Sequence, residues 1–234
     1  MTTMRRSIAV IVLTALVGAT YWLLWQSPYL EIRKVTFSVE NPAGHGWKDP
    51  TLRARVIDAF PHIAGRHLVS IDGSQLAKQV EQTRGVLAAE VRRGWPHEVA
   101  VIVTPRIPVA VFEKRGAAVS RWQYVDADAQ VVAEAAQRPA NWVVLNVSPA
   151  TAGGRAAIAV WNSLPARIKS EAVSMSSSSV ESSATVTMAL RTGATVFWGA
   201  PDQLERKAQV LTALLRYSAK VYDISAPDVP TTTK

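Results

Sequence analysis

Cysteine is absent from the 234 residues, which excludes disulfide scaffolds, thiol nucleophiles and thiolate metal sites together. Histidine is scarce. The four are His45, His62, His67 and His97; they show no H-x-x-x-H spacing, and none lies beyond position 97 to activate a hydroxyl in the second half of the chain. No G-x-S-x-G, S-x-x-K or phosphate-cradling glycine loop occurs, and Gly44-His45-Gly46 lacks the strand-to-helix setting that gives such a motif meaning. Asp126 and Asp128 have no further oxygen ligands nearby and read as a polar turn, not a calcium loop. The sequence therefore offers no catalytic constellation, metal site, cofactor site or small-molecule substrate site, and the expectation is a protein that is not an enzyme.

Acidic residues are missing from the first thirty positions, the first being Glu31. Arg5 and Arg6 precede an uncharged run of 18 residues, Ile8 to Trp25. As a helix this run would extend roughly 27 Å, close to the hydrocarbon thickness of a bilayer. Arginines on one side and Tyr21, Trp22 and Trp25 on the other match the positive-inside rule and an interfacial aromatic belt. The expectation is a signal anchor with Ile8, Val12, Leu16, Trp22 and Trp25 in lipid, residues 1–7 cytoplasmic and the bulk outside. A cleaved signal peptide is the rival, with small residues at Val17-Gly18-Ala19, although the apolar run continues past that point.

What is present is an ordinary globular balance, 48% hydrophobic and 19% charged, with a net charge of +8. Removing Arg5 and Arg6 leaves +6 for the exported part, a mild attraction to anionic wall polymers or headgroups; outside the membrane, nucleic acid is not an expected partner. Of the eight tryptophans, Trp142, Trp161 and Trp198 occupy apolar positions of expected strands or helices, where core packing is the default over sugar stacking.

Residues 30–105 read as one small α+β domain. Val35, Phe37 and Val39 alternate as a strand face, and the loop Asn41–Gly46 breaks it. Asp49-Pro50 reads as N-cap and first helical residue, with Leu52, Val56 and Phe60 as the apolar stripe. Asp72 caps a second helix carrying Leu76 and Val80. Strands at 86–92 and 98–104 follow. This β-α-α-β-β order resembles a POTRA domain, a module that docks other polypeptides outside bacterial inner membranes.

The segment 84–110 is more specific. Val86, Ala89, Val91, Arg93, Trp95, Pro96, Arg106, Pro108, Val109 and Ala110 resemble the V-x-x-A-x-V-x-R, W-P and R-x-P-V-A signature of the FtsQ/DivIB cell-division proteins. Gly65-Arg66-His67-Leu68 is similar to that family's turn into the second helix. Two positions depart from the pattern, Gly85 standing for a proline and Pro105 for an acid.

Residues 106–226 read as a strand-rich α+β domain, similar to the β domain of that family. Strands are expected at 109–113, 122–125, 130–132, 142–147, 180–191 and 194–198, with a helix from Gly153-Gly154 to Leu164. The biased stretch Ser174–Ser183 reads as a solvated loop or edge strand. Asp202 is the expected N-cap of a helix with Leu204, Ala208, Leu211 and Leu215 as its stripe. A last strand, Lys220–Ser225, precedes a tail, 227–234, expected to be flexible.

The resemblance implies a non-catalytic divisome scaffold at the septal membrane. Its partners would be small single-span proteins of the FtsB/DivIC and FtsL kind and, indirectly, the FtsW/FtsI peptidoglycan synthase. It also implies that the terminal strand is a docking edge: Tyr222, Asp223, Ile224, Ser225 and Ala226, extended by Asp228 and Val229, with Arg206 and Lys207 meeting acids on the partner. Pairing of a partner strand with that edge is the expected chemistry, with Pro227 and Pro230 unable to donate ladder bonds. The competing assignment makes these residues a closing core strand under the tail. A POTRA-bearing assembly factor or chaperone for exported polypeptides is the alternative function.

Overall fold

A computed structural model describes residues 2–25, 28–41, 47–114, 121–180 and 183–234; residues 2–10, 23–25, 28, 179, 180 and 183 are described by backbone alone. Of the expected anchor residues, Ile8 and Trp25 thus lie outside the described side chains, and His45 and most of the loop Asn41–Gly46 lie outside the described residues. The chain divides into two units, Met1–Pro105 and Arg106–Lys234.

The first unit opens with α1 (Thr2–Trp25), 24 residues long. Ile11, Val12, Leu13, Leu16, Val17, Tyr21 and Trp22 on it are each more than half exposed. Among the described residues no helix is long and apolar enough to cross a membrane. A globular part follows: β1 (Lys34–Val39), α2 (Leu52–Ala59), α3 (Gly73–Glu81), β2 (Val86–Gly94) and β3 (Glu98–Pro105). Its sheet order is β1-β3-β2, with β3 central, parallel to β1 and antiparallel to β2.

Alternation along β3 buries Val99, Val101 and Val103 almost completely and leaves Ala100, Ile102 and Thr104 half-buried. Leu52 and Val56 of α2 and Leu76 and Val80 of α3 join the same core, together with Ile32, Ile63, Leu68 and Ile71. Phe60 is only half-buried and meets Phe37 edge to face at 5.3 Å.

The two helix starts differ. At α3 the Asp72 carboxylate accepts from the Ser74 and Gln75 backbone N–H groups at 2.9 and 3.1 Å, satisfying donors the helix leaves open. At α2, Asp49 is not the N-cap. Its Oδ1 accepts from Thr51 N–H and hydroxyl at 2.9 and 2.8 Å, and its carboxylate also pairs with Arg55. This local turn competes with the helix and moves its first residue to Leu52.

The second unit contains β4 (Pro108–Lys114), β5 (Arg121–Asp126), β6 (Val131–Ala135), β7 (Val144–Leu145), α4 (Ala152–Ser163), α5 (Ala166–Glu171), β8 (Ala172–Val180), β9 (Ser183–Leu190), β10 (Thr195–Gly199), α6 (Leu204–Leu214), β11 (Val221–Asp223) and β12 (Thr231–Thr233). Among the described residues, these nine strands lie in one sheet, ordered β12-β11-β10-β9-β8-β7-β4-β5-β6. The core gathers Ala156, Ile158, Val160 and Trp161 of α4, Met175 of β8, Met188 of β9, Trp198 of β10 and Leu211 of α6.

Gly154 is fixed by packing: a Cβ there would lie 2.0 Å from the Ser148 carbonyl oxygen and 2.6 Å from Pro149 Cα. Thr151, just before α4, accepts from Gly154 N–H at 3.1 Å and caps the helix. In the β5–β6 turn Asp126 Oδ1 accepts from Asp128 and Gln130 N–H groups at 3.0 and 2.7 Å, and its Oδ2 takes Arg106 at 2.7 Å. Ala129 closes that turn at φ 62°.

Three expectations for this unit are corrected. Of the two readings of the serine-rich segment the loop is overturned: Ala172–Val180 forms β8, paired with β9 along its length and with β7 at Ser174 and Met175, so that among the described residues its part beyond Met175 is paired on one side, as an edge is. Serine spends no large apolar surface, so composition hid a strand whose identity comes from neighbours on either side. Asp202 does not cap α6. The preceding residue is Gln203, left-handed at φ 45° and without a side-chain cap bond. The tail is not free along its length either, because Thr231–Thr233 pair antiparallel with β11.

Candidate functional site

The C-terminal end of the second sheet is where the sequence places the docking residues. β10 and β11 run parallel, Thr195 opposite Val221, Val196 opposite Tyr222 and Phe197 opposite Asp223. β12 lies on the other side of β11, Thr233 opposite Val221, Thr232 opposite Tyr222 and Thr231 opposite Asp223.

This corrects the position of the edge. β11 is the second strand in the order, and β12, with three exposed threonines, is the outermost. Tyr222 and Ile224 point into the core, at 4% and 0% exposure. The Tyr222 hydroxyl donates to the Tyr217 carbonyl at 2.7 Å and accepts from Ala219 N–H at 3.1 Å. Ile224 N–H continues the ladder to the Phe197 carbonyl at 2.9 Å. Alternation decides the matter physically: with Tyr222 and Ile224 inward, neither side chain is available to a partner on the surface.

The turn after β11 is held locally. Asp223 Oδ1 accepts from Ser225 N–H and hydroxyl at 2.9 and 2.7 Å. Gly199, at φ +74°, lets β10 approach this turn, since a Cβ there would lie 2.8 Å from Ser225 Cβ. Ser225, Ala226, Asp228 and Val229 are exposed, and so is Phe197 of β10.

The two basic residues expected to meet a partner are engaged inside the chain. Lys207 is 1% exposed, and its ammonium donates to the Ala200 carbonyl at 2.9 Å and Asp202 Oδ1 at 2.6 Å. It is not one of the four stripe residues of α6, yet its aliphatic stem joins the buried face and its head reaches polar partners. The Lys207 hydrogen bond is the main reason that the Asp202 carboxyl titrates below its ordinary value. Arg206 pairs with Asp228 across 22 residues, tying α6 to the segment before β12.

The signature residues of 84–110 serve structure. Val86 is buried, Ala89 and Val91 are half-buried, and Arg93 donates to the Ile71 carbonyl at 2.7 Å. Trp95 is exposed at the β2–β3 turn. Arg106 is held by Asp126, and Pro108 is buried. Among the described residues no group of three or more His, Asp or Glu side chains is placed to hold a metal ion. At the sheet end the element that sequence reasoning missed is β12; three consecutive β-branched threonines after Pro230 were the available signal.

Fold and site together define a two-unit α+β protein whose C-terminal edge offers backbone hydrogen-bonding groups. Residues 117–227 match the family model described as cell division protein FtsQ/DivIB, C-terminal. The chain is 31% identical over 244 aligned positions to the cell division protein FtsQ of Streptomyces bingchenggensis, covering 98% of this chain and 86% of that one. It is 32% identical to the FtsQ of Mycobacterium tuberculosis over 76% of this chain and 55% of that one, and 29% identical to the FtsQ of Streptomyces venezuelae over 92% and 79%. The chain belongs to the FtsQ/DivIB family of cell-division proteins. Membership carries a role in division.

Proposed function

We propose that the chain is a non-catalytic divisome scaffold, held in the cell membrane by α1 with its N-terminus in the cytoplasm, that docks FtsB/DivIC-like and FtsL-like partners outside the membrane. Through them it helps recruit and regulate the septal FtsW/FtsI synthase. Family membership supports the divisome role; the unbroken apolar run from Ile8 to Trp25 and the exposed apolar side chains of α1 support the anchor. The β-α-α-β-β order of the first unit supports its reading as a POTRA-like docking module.

The observation that carries the docking mode is the sheet end. Among the described residues β12 has a strand neighbour on one side only, so its outer N–H and C=O groups form a template for another chain. A partner strand either extends the sheet beyond β12 or takes its place on β11. Exposed Ser225, Ala226, Asp228 and Val229 flank that row, and opening the Arg206–Asp228 pair would free both charges for a partner. Phe197 and Val229, both exposed, supply apolar contact.

The test uses the full chain in detergent micelles and the extracytoplasmic segment of an FtsB-like partner. Deleting 231–234 changes partner affinity in either case: it weakens binding if the partner extends β12 and strengthens it if the partner replaces β12. Unchanged affinity in that variant, or partner binding lost only through substitutions in the first unit, removes the edge from the proposal. A fluorescent fusion at the N-terminus gathered at mid-cell before constriction supports septal placement. An even signal around the membrane supports the assembly-factor alternative instead.

A further inference from the structure

A second feature of the C-terminal unit lies away from the sheet edge. A cleft of about 560 Å³ opens between the start of β4, the segment before β7, and helices α4 and α5, within the size range of small-ligand sites. Its lining includes two indoles, Trp142 and Trp161, and three cations, Arg138, Lys169 and Arg191, with no carboxylate. Around it the chain as a whole carries 18 acids, so the exclusion of acids from this one wall sets its charge.

The cations are pinned but unspent. Lys169 Nζ stands 5.6 Å from the centre of the Trp161 ring, and its hydrogen bond to the Asn162 carbonyl is long at 3.5 Å. Burial pushes its ammonium pKa down from the ordinary 10.5, the mark of a cation short of compensating charge. Arg138 lies 5.7 Å from the centre of the Trp122 ring. Arg191 gives one guanidinium N–H to the Ser170 carbonyl at 3.3 Å, leaving the rest of its five-donor fork for an acceptor. Trp142 is fixed edge to face against Tyr124 at 5.4 Å, so the indole is presented in one orientation.

We propose that this cleft binds a negatively charged sugar, a pyranose ring carrying a carboxylate or a phosphate. The C–H face of the ring stacks on indole, while its anion is received by Lys169, Arg138 and Arg191. An acidic peptide would use the cations but has no flat apolar face to set against Trp142, the half-buried indole whose partner Trp161 is buried beneath Lys169, and a neutral sugar would leave the three cations uncompensated. The charged sugar uses both halves of the lining.

The experiment is isothermal titration of the full chain in detergent micelles with four probes: glucuronate, glucose 6-phosphate, glucose and tetraglutamate. Glucuronate or glucose 6-phosphate, or both, should bind more tightly than glucose and tetraglutamate, and the stronger of the two identifies carboxylate or phosphate as the charge read. Arg138→Gln and Lys169→Gln should each weaken that binding about tenfold, the size expected for one hydrogen bond to a charged group, while thermal unfolding of each variant stays cooperative. Should Lys169→Gln fail to fold, the exposed Arg138→Gln carries the test alone. Equal binding of glucose and the charged sugars overturns the proposal. So does preferential binding of tetraglutamate, which would assign the cleft to acidic peptide, and so does absence of binding by all four, or binding indifferent to both substitutions.

Discussion

Lys207 Nζ lies 2.6 Å from Asp202 Oδ1 while the lysine is 1% exposed and the Asp202 side chain 61% exposed, so one ion pair runs from the core of the second unit to its surface. The same ammonium donates to the Ala200 carbonyl at 2.9 Å. It therefore ties the segment between β10 and α6 to the body of the helix at the point where α6 starts without a side-chain cap. Lys207→Met keeps the stem and removes the donors. Both acceptors belong to exposed residues that water can reach, so we expect a loss of about 1 kcal/mol, the net worth of a hydrogen bond, read as a lower midpoint in chemical denaturation. A variant as stable as the parent would mean that water replaces the ammonium at no cost.

Acid sensitivity follows from the same pair. The Asp202 carboxyl is held below the ordinary value of 3.8, chiefly by the Lys207 hydrogen bond. Because the folded value lies below the unfolded one, the stabilisation is complete above the unfolded value and is lost as pH falls through the folded one. Carboxyl NMR should place the Asp202 midpoint below 3.8 in the parent and move it upward in Lys207→Met. An Asp202 midpoint that ignores the substitution contradicts the pairing.

Gly154→Ala tests the helix–loop approach at α4. With a Cβ placed 2.0 Å from the Ser148 oxygen, the loop or the helix must shift. The expected cost is about 1–3 kcal/mol, typical of overpacking, and amide spectra should locate the perturbation in residues 143–190. Wild-type stability in this variant would show that the loop Asn146–Ala150 yields freely.

Tyr222→Phe and Ile224→Glu separate a core role from a docking role. The first removes a hydroxyl that serves the Tyr217 carbonyl and Ala219 N–H and should cost about 1–2 kcal/mol with partner affinity retained. The second forces a carboxylate into a fully buried site and should prevent the second unit from folding cooperatively. If Ile224→Glu folds normally and loses only partner binding, the strand faces outward and the assignment of β11 to the interior fails.

Arg106→Met probes the junction signature. Asp126 is 4% exposed and depends on Arg106 and two backbone N–H groups for compensation. Removing the arginine should cost about 1–3 kcal/mol, less in Asp126→Asn/Arg106→Met than the two single changes summed, because the members act on one site. Additive single effects would place Arg106 outside that network.

The first unit was legible in the sequence because each element carries its own signal. Val99, Val101 and Val103 alternate, Leu76 and Val80 repeat at helical spacing, and Asp72 stands where a cap must. The second unit was less so wherever partners decide. β8 has a serine-rich sequence that becomes a strand only through β9 and β7, and β7 shrinks to Val144–Leu145 although the apolar run around it is longer. The edge was misplaced for the same reason. Nothing within Val221–Asp223 tells that Thr231–Thr233 will return to pair with it, and the inward side of a three-residue strand cannot be fixed by so short an alternation. The burial of Lys207 is not legible in its residue type, since charge at the tip says little about where four methylenes go.

β7 also sets how load crosses the second unit. Val144 and Leu145 are the whole strand between β4 and β8, so the β4–β5–β6 meander is stitched to the five strands on the other side by two residues' width of ladder. A pull applied at the C-terminal edge meets continuous pairing from β12 through β8 and then this seam. The seam is the narrowest junction of the sheet, two paired residues on either side of β7 against three or more between every other pair of neighbouring strands.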